Sequence, residues 1–70
     1  MDATITITAN GQTRSVHAGC TLPQLLAGLH LAPERVVVER NGAALTPTEA
    51  LAVVLAEGDR LEIVRLVPGG

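Results

Sequence analysis

Two Asn-Gly dipeptides, Asn10-Gly11 and Asn41-Gly42, constrain this chain more than any other feature. A two-residue type I′ turn needs positive φ at both central positions, which asparagine tolerates and glycine adopts freely. Ala3 to Thr8 alternates strictly before the first turn, with Ile5 and Ile7 on one face and threonines on the other. That is the pattern of a half-buried strand built from β-branched residues. Gln12 to His17 reads as the returning strand, anchored by Val16. Arg35 to Arg40 carries Val36, Val37 and Val38 into the second turn and leaves only Ala43 to Leu45 for a short return.

Between the hairpins the period changes. Thr21 is an N-cap, Gln24 stands at the capping-box position, and Pro23 falls in the first turn, where a missing N–H costs little. Leu22, Leu25, Leu26 and Leu29 then form one apolar helical stripe. Gly28 weakens the helix and marks an expected close approach to the sheet; Ala32-Pro33 is the expected stop. Thr46-Pro47-Thr48-Glu49 repeats the same start grammar. Leu51 to Leu55 fits either a short helix or extended chain. Glu57-Gly58-Asp59 is a turn, and Leu61 to Val67 is the last strand.

The order is strand, strand, helix, strand, short strand, short helix, strand. It predicts an α+β domain: a mixed sheet of about five strands with one main helix packed on one face. The topology that fits is the β-grasp, in which the last strand lies beside the first and parallel to it. Residues 1–67 are the expected domain, and 68–70 an expected flexible tail.

Composition narrows the function. With 70 residues the chain makes one small domain, and its single cysteine cannot form an internal disulfide. A pocket enzyme with its own acid, base and cavity is hard to build from so little chain. A net charge of −2 and no aromatic residue argue against nucleic acid. No apolar run approaches the roughly 18 residues of a membrane span. Met1-Asp2-Ala3-Thr4 does not resemble a signal peptide, so the expectation is a cytoplasmic protein that works through partners.

Few side chains suggest chemistry of their own. His17 and Cys20 are three apart, yet neither a zinc set nor a nucleophile with its base and orienting group can be completed around them. Cys20 suits the N′ position of a hydrophobic staple against Leu25. His30, late in the expected helix, complements its negative end. Glu57, Asp59 and Glu62 read as a solvated rim, with docking to a basic partner the alternative. If Leu61 and Ile63 face the helix, Val64 and Leu66 point the other way and Val37 joins them. Val37, Val64, Leu66 and Val67 are therefore the expected partner surface. The chain closes on Pro68-Gly69-Gly70. Two glycines make a thin tail that can thread a narrow channel, so that the Gly70 carboxylate attacks a nucleotide α-phosphate.

The run Val36 to Gly42, the run Glu57 to Val64 and the closing Pro68-Gly69-Gly70 resemble the ThiS family, the sulfur carriers of thiamine biosynthesis. The resemblance implies a ubiquitin-like β-grasp and a carrier without catalytic residues or a permanently bound cofactor. In that family a ThiF-type enzyme uses ATP to adenylate the terminal glycine, here Gly70. A sulfurtransferase or cysteine desulfurase then supplies sulfur as a persulfide, and the resulting thiocarboxylate serves thiazole synthase, ThiG. The alternatives are a molybdopterin-synthase small subunit of the MoaD type, and a carrier for tRNA thiolation or cysteine synthesis. A β-grasp binding module whose glycines are incidental is the reading from a different class.

Overall fold

A computed structural model of the chain describes residues 3–66. Strand β1 (Thr4–Ala9) turns through Asn10-Gly11 into β2 (Gln12–His17), and Ile5 faces Val16 across the antiparallel ladder. Asn10 and Gly11 have φ of 50° and 80°; Asn41 and Gly42 have 52° and 86°. Both dipeptides thus adopt the left-handed geometry that their type predicts. The second turn joins β3 (Val36–Arg40) to the two-residue β4 (Ala43–Ala44).

Helix α1 (Leu22–Gly28) begins as its sequence dictates. The Thr21 hydroxyl accepts the Gln24 N–H and the Gln24 side chain accepts the Thr21 N–H, at 3.2 and 3.0 Å. Its end differs from the expectation. The helix stops five residues before Pro33, because His30 takes a φ of 61°. The His30 N–H then reaches the Ala27 carbonyl and the Leu31 N–H the Leu26 carbonyl, the two bonds of a Schellman cap. His30 is therefore the left-handed residue that ends α1, and it lies outside the helix.

A 3-10 turn (Pro33–Arg35) leads into β3. Helix α2 (Pro47–Ala52) has the expected Thr46–Glu49 capping box, and the chain beyond it is extended. That extended stretch closes on the start of α1. The Leu22 N–H donates to the Val53 carbonyl and the Leu55 N–H to the Cys20 carbonyl, which satisfies a helix-start donor with no partner inside the helix.

Strand β5 (Arg60–Arg65) completes the sheet in the order β2-β1-β5-β3-β4, parallel to β1 and antiparallel to β3. The mixed five-stranded β-grasp is present as expected. Helix α1 covers one face, where Ile7, Leu22, Leu26 and Leu61 are almost wholly buried and aliphatics from β1, β3 and β5, with Val16 of β2 at the margin, pack around them. Gly28 is not part of that packing. It is exposed, and a Cβ built there would meet nothing within 4 Å.

Candidate functional site

With Leu61 and Ile63 buried under the helix, strand alternation turns Val64 to the opposite face, and Leu66 follows it beyond the strand end. Val37 is the cross-strand partner of Val64. The three side chains are 43%, 59% and 52% exposed for Val37, Val64 and Leu66. The Leu66 N–H donates to the Arg35 carbonyl at 2.8 Å, so the β3–β5 ladder holds the patch up to the last described residue. No second layer of the chain covers this face among the described residues. Three neighbouring aliphatics exposed on a rigid sheet are a contact surface in waiting. Val67, Pro68, Gly69 and Gly70, the rest of the expected site, lie outside the described residues.

Charge borders the patch. Glu39 stands directly opposite Glu62, two pairs along the same ladder and therefore on the same face. Like charges in a facing pair oppose each other, and both side chains are exposed. Neither has a cation within ion-pair distance among the described residues. An arginine or lysine brought by a partner would relieve that repulsion.

The expected acidic rim is otherwise taken apart by the fold. Glu57 turns back and accepts the Thr6 N–H at 3.1 Å. Asp59 is buried: its carboxylate pairs with Arg40 at 2.9 Å and accepts the Ala56 N–H at 2.8 Å and the Asn41 amide at 3.0 Å. Burial pushes the Asp59 carboxyl up, but those partners together outweigh it and hold it below the usual carboxylate value. Glu62 alone of the three remains on the open face. Held by the Arg40 guanidinium, the Ala56 N–H and the Asn41 amide, the carboxylate is a structural hub that fixes the last turn against the second hairpin. Neither solvated rim nor docking patch describes Asp59.

His17 and Cys20 are not joined. The imidazole Nδ1 lies 3.2 Å from the Ala18 carbonyl, while the buried thiol points to the Thr21 carbonyl at 3.5 Å. Cys20 and Leu25 share the core cluster at the start of α1, which is the staple position. No group of three or more His, Cys, Asp or Glu side chains is placed to hold a metal among the described residues. Among the described residues no helix is long and apolar enough to cross a membrane.

The asparagines of both turns carry structural work that the turn signature alone does not reveal. The Asn10 amide donates to the Ile63 carbonyl at 3.1 Å and accepts the Ile63 N–H at 2.7 Å. The Asn41 side chain accepts the Arg60 N–H at 2.8 Å. Both turns thus clamp β5, the strand that carries Val64. The sequence signal was the choice of asparagine over aspartate, since only the amide both donates and accepts.

A helix-covered mixed sheet in the order β2-β1-β5-β3-β4, with an aliphatic open face, defines a ubiquitin-like β-grasp domain. The profile of the ThiS family matches residues 4–70, and the chain belongs to that family. The thiamine biosynthesis protein ThiS from Geobacter metallireducens superposes with a TM-score of 0.76 at 30% identity, over 94% of this chain and 100% of that one. A computationally designed protein based on human erythrocytic ubiquitin follows at 0.54 and 26% identity, over 100% of this chain and 98% of that one. Among curated proteins, a thiazole synthase of Magnetococcus marinus is 48% identical over 61 residues and one of Paramagnetospirillum magneticum 36%. Each match covers 87% of this chain but only 19% of the relative.

Proposed function

We propose that the protein is the sulfur carrier for thiazole formation in thiamine biosynthesis, a co-substrate with no catalytic residues of its own. The observation that carries this is the ThiS-family match running through Gly70, on a fold whose open face offers a docking surface that reaches Leu66. The likeness to thiazole synthases favours a ThiG-type partner over the molybdopterin and tRNA-thiolation alternatives.

The chemistry needs only the terminal carboxylate. An oxygen of Gly70 attacks the α-phosphate of ATP held by a ThiF-type enzyme, and pyrophosphate leaves. The acyl-adenylate replaces a poor leaving group by AMP. The terminal sulfur of a persulfide on a sulfurtransferase or cysteine desulfurase displaces that AMP, and a second thiol cleaves the S–S bond. A thiocarboxylate then remains on Gly70 for the thiazole-forming partner. No permanently bound cofactor is required, and the setting is the cytoplasm.

The test is the intact mass of the protein taken from its own cells, or treated with ATP, the cognate activating enzyme and a persulfide donor. One sulfur replacing one oxygen at Gly70 is the expected product. Deletion of Gly69 and Gly70 must abolish it. An unmodified carboxylate under all these conditions would overturn the carrier role and leave a binding module.

A further inference from the structure

At the edge of the sheet opposite β4, strand β2 has no neighbour beyond it. Peptide groups in an antiparallel pair alternate between facing the partner and facing away. Ala9 and Gln12 close the first turn as a bonded pair, so Gln12, Arg14 and Val16 face β1 while Thr13, Ser15 and His17 face outward. The Ala18 N–H, bonded to the Ala3 carbonyl, continues the same alternation. The outward carbonyl of His17 takes the Cys20 N–H, but the outward groups of Thr13 and Ser15 have no backbone partner among the described residues.

Between this free edge and α1 lies a cleft of about 390 Å³. Val16, Cys20, Leu25 and Leu29 supply apolar lining, Gly28 leaves its helix side open, and Arg14 stands among them. Arg14 occupies a position on the helix-facing side of the sheet, opposite Ile7. Its Nε is buried with no hydrogen-bond partner, and its Nη2 reaches Gln12 only at 3.4 Å. Neither β2 nor α1 contains a carboxylate, and the ion pair of the described residues lies elsewhere, at Arg40 and Asp59. On a chain with a net charge of −2 this edge is locally cationic.

We infer that the β2 edge and its cleft form a second docking surface, which takes an extended, carboxylate-bearing segment of a partner protein as an added strand. Thr13 and Ser15 supply the main-chain bonds, and Arg14 takes the carboxylate. Residues two apart in a strand share a face. The segment therefore carries an acidic and an aliphatic side chain at i and i+2, the first beside Arg14 and the second over Val16. A partner seated here leaves the Val37–Val64 face free, so the protein can be held by one partner while its other surface engages a second. The inference does not depend on chemistry at Gly70.

Titration of the ¹⁵N-labelled full chain with the blocked peptide acetyl-TETVTET-amide tests it, because glutamates flank the valine at this spacing in either strand direction. Saturable shifts are expected at Thr13 to Val16 and along Leu25 to Leu29. Arg14→Gln should keep the folded spectrum and weaken binding at least about tenfold. The lysine analogue acetyl-TKTVTKT-amide and a version N-methylated at alternate backbone positions should both fail to bind. No saturable shift, shifts centred on Val37 and Val64, or equal binding of either control would overturn the inference. So would the same shifts produced by acetate alone, which would mark a free-anion site. Self-association of an Arg14→Val chain without peptide binding to the parent would show that Arg14 only guards the edge.

Discussion

Asn10 and Ile63, 53 residues apart, exchange two hydrogen bonds through one side-chain amide. The pair extends the parallel β1–β5 ladder past the point where β1 has already turned away. Asn10→Gly keeps the left-handed turn and deletes only the clamp, and should cost about 1–3 kcal/mol. Asn10→Ala should cost more, since alanine also lacks the polar side chain that lets asparagine tolerate positive φ. The denaturation midpoints of the two variants separate clamp from turn. Equal midpoints for Asn10→Gly and the parent would show that the clamp contributes nothing.

Asp59 sets the acid limb of the stability curve. Its carboxyl is held low in the folded state, so its contribution is fully present above the unfolded value of about 4 and is lost as pH falls through the folded value. Asp59→Asn should therefore be less stable at neutral pH and should flatten the loss of stability on acidification. Truncation to Asp59→Ala leaves the Ala56 N–H and the Asn41 amide short of an acceptor and should cost about 3 kcal/mol. Parallel acid limbs for parent and Asp59→Asn would reject this assignment.

The end of α1 can be improved. His30→Gly removes a side chain from a left-handed position and should stabilise the chain by about 1 kcal/mol. Gly28→Ala adds helix propensity where a Cβ meets only open space, and should contribute about 0.5–1 kcal/mol. Thermal melts of the single and double variants check both values. A Gly28→Ala chain that melts lower would mean the open side of the cleft supports the fold.

Val64→Asp tests the open face. The side chain supports no core contact, so the melting temperature should change little. Beside Glu62 and Glu39 the new charge deepens an acidic border while breaking the aliphatic patch. Affinity for the proposed adenylating partner should fall at least about tenfold, the equivalent of about 1.4 kcal/mol. Binding at parental strength would move the interface elsewhere.

Local grammar was legible in this sequence wherever the determining interaction spans a few residues. Both Asn-Gly turns, both capping boxes and the alternation that separates Ile63 from Val64 are short-range facts, and the element order follows from them. Features that depend on distant contacts are not legible in this way. Gly28 looked like a packing glycine, but whether a helix position faces a sheet depends on where the sheet ends. Pro33 looked like the helix stop because proline is visible in sequence, whereas a histidine in the left-handed region is not. Glu57, Asp59 and Glu62 looked alike as a charge cluster, and only the partners at Thr6, Arg40 and Asn41 tell them apart.

By itself the sequence determined the strands, the helix starts, the β-grasp order and the resemblance that ends at Gly70, because periodicity, turn chemistry and caps act between near neighbours. Only the tertiary structure decided which acid is buried, which asparagine bonds clamp β5 and which edge stays open. Those outcomes depend on contacts between residues far apart in the chain, and no local pattern encodes what a distant strand will bring within 3 Å.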